Sequence, residues 1–129
     1  MSARVAEGWP ISSTYELPAS PASPALARGF ARSALGGYPG DFVDTVLLLV
    51  SELITNAVIH GQSAPRMHIQ AVGGQIRVSV DDESRDAPVV PEQGVEALEA
   101  GRGLMLVDAL ASRWGWTPIE RGKRTWFEL

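Results

Sequence analysis

The sequence predicts an α+β two-layer sandwich, in which a mixed, mostly antiparallel sheet is covered on one face by about three helices. Three observations predict it: short alternating segments typical of strands, glycine-containing reversals between such segments, and apolar residues at helical spacing elsewhere. Their order is strand, helix, helix, two strands, loop, helix and two strands. Strands joined as hairpins form one sheet, and the helices must bury their apolar faces against it.

Length and composition favour a single domain. The 129 residues are 45% hydrophobic and 20% charged, which suits one globular core. We expect residues 1–10 to be a flexible lead-in and residues 11–129 to form the domain. A net charge of −4 argues against direct nucleic-acid binding, which needs a basic surface. The absence of cysteine excludes a disulfide scaffold and cysteine-ligated zinc.

Export and membrane insertion are not expected from the sequence. Residues 1–10 lack an apolar stretch of signal-peptide length, and the longest uninterrupted apolar run is Val46–Val50. We therefore expect a cytoplasmic protein that does not engage a membrane.

The N-terminal part predicts a strand followed by a helix. Alternation over Ile11–Leu17 is typical of a strand. Serine followed by proline occurs at Ser20-Pro21 and again at Ser23-Pro24, and one of these serines is expected to cap a helix that runs to about Leu35.

A central helix and a hairpin follow. Asp41 is the expected N-cap of the helix, whose apolar residues recur at helical spacing until Gly61 ends it. Met67–Val72 and Gln75–Val80 flank a Gly-Gly pair, which is a strong signal for a tight hairpin.

The remaining elements surround a long polar loop. Residues 82–103 are expected to form this loop, with a short helical turn near Val95–Leu98. The expected elements after it are a helix at Leu104–Ser112 and strands at Trp114–Pro118 and Arg124–Leu129, turned at residues 120–123.

The central helix carries three polar residues at four-residue spacing: Glu52, Asn56 and His60. Successive members differ by only about 40° around the helix axis, so they form one polar stripe. An unpaired polar group in an apolar environment costs about 1–3 kcal/mol, so an ordered stripe suggests a ligand. An amide oxygen suits Mg²⁺ and a carboxylate can activate a nucleophile, a combination typical of a magnesium–nucleotide site. His60 is better explained by the helix dipole, which favours histidine in a last turn.

Two further motifs suggest a nucleotide. Asp81 and Asp82 end a strand, where a carboxylate can accept a hydrogen bond from an exocyclic amine such as that of adenine; a solvated acidic turn is the commoner explanation of such a cluster alone. Gly101-Arg102-Gly103-Leu104 precedes a predicted helix, whose N-terminus attracts phosphate, although such a motif is equally often a hinge. It matches neither a Walker A loop nor a dinucleotide fingerprint.

In this order, the three motifs resemble the GHKL (histidine-kinase-like) ATPase superfamily, and within it the anti-sigma factor serine kinases of bacteria. The resemblance covers about residues 11–129 and implies a Bergerat-type ATP-binding fold. Ser51–Gly61 is similar to the family's N box. By this resemblance Asn56 would bind Mg²⁺, and Glu52 would be the general base toward a partner's hydroxyl.

The other motifs acquire roles by the same resemblance. Asp82 would be the adenine-reading aspartate of the G1 box, with Asp81 as the alternative. The phosphate-binding G2 box would comprise Gly101, Arg102, Gly103 and Leu104. Residues 83–100 would form the ATP lid, and Thr125 would support adenine recognition from a late strand.

The G1 box departs from the family pattern, because Ser84 and Asp86 stand where two glycines are usual. A further negative charge beside a triphosphate is unfavourable, so ATP affinity and kinase activity are left open.

The resemblance implies a regulator of transcription that uses ATP and Mg²⁺ to phosphorylate a serine or threonine of a protein partner. The implied partner is a sigma factor or an anti-sigma antagonist, and a homodimer is compatible with the resemblance. An alternative is a module that sequesters such a partner with weak or no nucleotide turnover. A third hypothesis is an adaptor that binds no ligand. Of these three hypotheses, only the kinase requires Glu52.

Overall fold

A five-stranded antiparallel sheet and three helices make up the part of the chain that the structure, a computed structural model, describes. That part comprises residues 12–61, 63–72, 74–86, 88 and 102–129. The expected lead-in, the helical turn at Val95–Leu98 and most of the predicted lid lie outside it. The elements are β1 (Ser12–Glu16), α1 (Ser23–Ala34), α2 (Gly40–Gly61), β2 (Arg66–Val72), β3 (Gln75–Asp82), α3 (Arg102–Leu110), β4 (Arg113–Ile119) and β5 (Gly122–Glu128).

The strands lie in the order β1-β2-β3-β5-β4, and each neighbouring pair is antiparallel. Val78 in the central strand lies opposite Ile69 on one side and Phe127 on the other, and all three side chains are buried. Alternate residues point to opposite faces, so one face of the sheet supplies the core and the other carries charged and polar side chains. The predicted fold class and element order are confirmed.

The α2 helix supplies much of the helical side of the core. By length and apolar composition alone it could cross a membrane, but buried core helices have the same character. Both α1 and α3 pack against it, and α2 also contacts β3. Its buried residues are Val46, Leu47, Leu49, Val50, Leu53, Ile54 and Ala57. The helix is therefore the centre of the helical layer.

The expected N-caps of α1 and α2 are wrong, whereas α2 ends at Gly61 as expected. The N-cap of α1 is Ala22, which has no side-chain cap, and Ser20 Oγ accepts a hydrogen bond from the Ala22 amide at 3.1 Å. Ser23 lies inside the helix and donates its hydroxyl proton to the Pro18 carbonyl. These serines stabilise the preceding turn instead. Asp41 lies in the first turn of α2 rather than at its N-cap, a position that the helix dipole still favours.

Several element boundaries in the second half also differ from those expected. The β3 strand continues to Asp82, α3 begins at Arg102 and ends at Leu110, and β5 begins at Gly122. The turn predicted at residues 120–123 is therefore shorter, since Gly122 and Lys123 pair with Ile119 and Pro118 of β4. Polar side chains there weaken the local strand signal, whereas pairing with two neighbouring strands stabilises the extended backbone.

Candidate functional site

The side chains of Glu52 and Asn56 are half-buried on α2, and His60 is exposed in the last turn. The first turn of α3 approaches α2 at Glu52. A Cβ added to Gly103 would lie 2.9 Å from Glu52 Cβ and 3.2 Å from its Oε1 atom. Such distances leave no room for a side chain, so glycine permits the close approach. The fold thus brings together the predicted base and the predicted phosphate-binding segment.

The C-terminal end of α2 contacts the second of the two aspartates, Asp81 and Asp82, that end β3. A Cβ on Gly61 would lie 2.8 Å from Asp82 Cβ and 2.9 Å from its Cγ atom. Glu52 and Gly61 are separated by about 13 Å along a helix, given its rise per residue. The N-box helix therefore touches both other motifs, one near its middle and one at its end.

Asp82 is buried in an ion pair. Its Oδ1 atom accepts hydrogen bonds from Lys123 Nζ at 3.1 Å and from the Ser84 amide at 2.8 Å. The Asp82 and Lys123 side chains are only 6% and 7% exposed, respectively. Because both partners are desolvated, this pair lies in a low-dielectric environment, where the attraction between the two charges depends strongly on their geometry.

The pleat of β3 distinguishes the two candidate aspartates. Asp82 follows Ile76, Val78 and Val80 on the buried face that the helices cover. Asp81 points to the opposite face, where its carboxylate accepts two hydrogen bonds from Arg124 at 2.6 and 2.8 Å. Only Asp82 lies on the same side of the sheet as α2, which makes it the candidate for contact with a base.

Sequence reasoning missed Lys123. Thr125 is buried and lies opposite Val80, whereas Lys123 lies opposite Asp82 and bonds to it. Lys123, Thr125 and Phe127 alternate along β5, so all three face the helices. That alternation could have indicated that Lys123 faces the helices, but only if the strand had been predicted to begin at Gly122.

The residues that replace the G1 glycines form an ordered turn. The Ser84 amide bonds to Asp82, and the Asp86 amide donates to Ser84 Oγ at 3.2 Å. Arg85 donates from Nη2 to the Glu120 carbonyl at 2.5 Å. Ser84 therefore contributes its backbone to the site.

The predicted G2 box is described only in part. Gly101 lies outside the described residues, and of Arg102 only the helical backbone is described. The Leu104 side chain is in the core, so its expected contact with a phosphate would come through its backbone. Arg102, Gly103 and Leu104 form the first turn of α3, where free amide groups favour an anion.

A self-sufficient metal site is absent from the described ranges, in which no three His, Asp or Glu side chains form a group able to hold an ion. The amide oxygen of Asn56 nevertheless fits Mg²⁺ carried by a nucleotide, because that ion takes few protein ligands and binds mainly phosphates and water.

The outer face of the sheet carries a separate charged cluster. Glu128 accepts hydrogen bonds from Arg77 Nε at 2.7 Å and from Arg113 Nε at 2.9 Å. The Arg77 guanidinium also lies 4.2 Å from the centre of the Trp126 ring. Burial alone would raise the pKa of Glu128, but the hydrogen bonds and charges of Arg113 and Arg77 outweigh burial and lower it.

Comparison with known proteins identifies the family. A family model for the histidine kinase-like ATPase domain matches residues 17–128, so the chain belongs to that family. A comparison with curated proteins found no match. The fold is similar to the crystal structure of the RsbU and RsbW domains of Rv1364c from Mycobacterium tuberculosis, with a TM-score of 0.70 and 20% identity. The match covers 91% of this chain and 31% of that one.

Proposed function

We propose that this protein binds ATP with Mg²⁺ and transfers the γ-phosphate to a serine or threonine hydroxyl of a partner protein. Membership of the histidine kinase-like ATPase family supports nucleotide binding. The resemblance of the three motifs to anti-sigma factor serine kinases supports a sigma factor or its antagonist as the partner. The protein would then regulate transcription from the cytoplasm.

The contact between Gly103 and Glu52 carries the proposal. It puts the N-terminal turn of α3 beside a half-buried carboxylate, with 2.9 Å between the Glu52 Cβ atom and an added Cβ on Gly103. Phosphate oxygens held by the amide groups of that turn would lie near Glu52. Asn56, one turn further along α2, would coordinate Mg²⁺ on the same phosphates.

The proposed transfer needs a general base and alignment of the partner's hydroxyl with the γ-phosphate. Glu52 would orient the partner's hydroxyl and accept its proton as the oxygen attacks the γ-phosphorus and the bond to the β-phosphate oxygen breaks. A positioned base contributes about 10²–10⁴-fold to rate, and alignment of the hydroxyl with the γ-phosphate supplies much of the remainder. Bound Mg²⁺ would neutralise phosphate charge.

Calorimetric titration of ATP and GTP, with and without Mg²⁺, tests the nucleotide site. We expect saturable binding that prefers ATP, depends on Mg²⁺ and is lost in Asn56→Ala and Asp82→Asn. Thr55→Ala is a matched control on α2, because the Thr55 hydroxyl bonds to the helix backbone at Ser51. No heat and no thermal stabilisation at millimolar ATP would overturn the proposal.

Transfer of labelled phosphate to a candidate sigma factor or antagonist tests the catalytic step. We expect Glu52→Gln to bind ATP normally and to lose at least about a hundredfold in transfer rate, the lower end of general-base catalysis. A stable complex with the partner but no transfer in the wild-type protein would instead indicate a sequestering module.

A further inference from the structure

We propose that Lys123 is a positioning residue for base recognition: it fixes the Asp82 carboxylate so that one oxygen is presented to the exocyclic amine of adenine. This role rests on the proposed ATP site. It concerns how the site selects its base, and not whether the site exists.

The hydrogen bonds to Asp82 from described residues converge on one oxygen. Lys123 Nζ and the Ser84 amide both donate to Oδ1, at 3.1 and 2.8 Å. Two donors on the same atom stop the carboxylate from rotating about its Cβ–Cγ bond. The other oxygen, Oδ2, is then held in a defined direction as a hydrogen-bond acceptor.

The backbone around the pair allows little adjustment. A Cβ on Gly122 would lie 1.9 Å from the Asp82 carbonyl oxygen and 2.6 Å from Glu83 Cα, so β5 begins in direct contact with the end of β3. In the same register, Lys123 lies opposite Asp82. Gly61 of α2 also lies against the carboxylate, since a Cβ there would be 2.9 Å from Asp82 Cγ.

Strand pairing alone does not require a buried ion pair. A buried pair is often no more stabilising than apolar side chains of similar volume, because both ions lose their hydration. The neighbouring pair of Asp81 and Arg124 already joins the same two strands on the outer face. A fixed carboxylate does, however, serve recognition.

Position 6 of the purine is the group that such a carboxylate would read. Adenine has an amine donor there, whereas hypoxanthine has a carbonyl acceptor, which a carboxylate repels. Sites built around a specific hydrogen bond discriminate strongly against ligands that cannot make it. A carboxylate that can turn away or take up water discriminates less.

The test compares ATP with inosine triphosphate, both with Mg²⁺, by calorimetry. The variants are Lys123→Met, Lys123→Ala and the matched control Arg124→Met, which removes a cation from the outer face of the same strand. We expect Lys123→Met to lower the affinity for ATP about tenfold, which is what the loss of one hydrogen bond to a charged group would cost. The affinity for inosine triphosphate should change much less. Arg124→Met should leave the ratio of the two affinities within about twofold, since its ion pair is partly exposed.

Lys123→Ala covers the case in which Lys123→Met fails to fold, because it leaves space for water to solvate Asp82. A folded Lys123→Met or Lys123→Ala protein that keeps the wild-type ratio of ATP to inosine triphosphate affinity would overturn the proposal for Lys123 and leave the ATP site intact. A wild-type protein that binds neither nucleotide would overturn the ATP site itself, and with it this role. Lys123→Arg keeps a cationic donor at this position. A wild-type ratio of ATP to inosine triphosphate affinity in that variant would support positioning by a cationic donor.

Discussion

Asp81 and Asp82 are consecutive residues with the same side chain, yet they lie in different environments. Asp81 pairs with Arg124 on the outer face, where the two side chains are 13% and 40% exposed. Asp82 pairs with Lys123 on the helical face, where both side chains are nearly inaccessible. Each pair joins β3 to β5 at neighbouring register positions. The pleat therefore puts one pair in contact with water and the other in the interior.

Burial determines what each pair can contribute to the protein. Water and salt screen a partly exposed pair, which adds at most about 1 kcal/mol to stability. A buried pair loses hydration, so each partner depends on the other remaining in place. Only the buried pair is close enough to α2 to act in a site, through the contact between Asp82 and Gly61.

Truncation of each aspartate should give the largest difference in stability between the two pairs. Asp82→Ala leaves the Lys123 ammonium buried without its partner and should lower the free energy of unfolding by about 3–5 kcal/mol. Asp81→Ala exposes Arg124 to solvent and should cost about 0–1 kcal/mol. Urea denaturation without nucleotide measures both. Equal losses in the two variants would show that burial does not separate the pairs.

Gly61→Ala should disturb the buried pair without changing its charges. The added Cβ would meet Asp82 Cβ at 2.8 Å, so α2 or β3 must shift at a cost of about 1–3 kcal/mol. Gly29→Ala in α1 is the matched control, because its added Cβ meets nothing within 4 Å. That change should stabilise the helix by about 0.5–1 kcal/mol. Thermal unfolding distinguishes these opposite signs, and a stabilised Gly61→Ala would contradict the close contact.

The outer face should contribute a smaller, pH-dependent effect through Glu128. Its pKa in the folded protein is below the ordinary value of 4.5, so its pairing with Arg113 and Arg77 stabilises the fold above that pH. The contribution is lost as the pH falls through the lowered pKa.

Glu128→Gln should therefore cost about 1 kcal/mol at pH 7, since its partners are partly exposed, and progressively less below pH 4.5. Urea denaturation across this pH range measures the loss. Glu16→Gln is the control, because Glu16 lies 3.8 Å from Arg66 and both side chains are mostly exposed. A cost for Glu128→Gln that does not change with pH would contradict the assigned pairing.

Much of the fold could be predicted locally. Alternation and glycine positions predict the hairpins, and helical spacing predicts α2 up to Gly61. Errors concentrate where polar residues extend a strand, as at Lys123, because pairing with neighbours outweighs weak local preference there. The Gly103 contact with Glu52 could not be predicted in the same way, because it depends on how two helices pack.

Local sequence patterns are enough to predict the order of the elements, the polar positions Glu52 and Asn56 on one helix, and an acid at the end of β3. The tertiary structure is needed to show that Asp82 faces α2 and that Lys123, 41 residues later, bonds to it. Local periodicity specifies which residues share a face, whereas the register between distant strands depends on packing throughout the core. The partner of the buried carboxylate is therefore a property of the folded sheet.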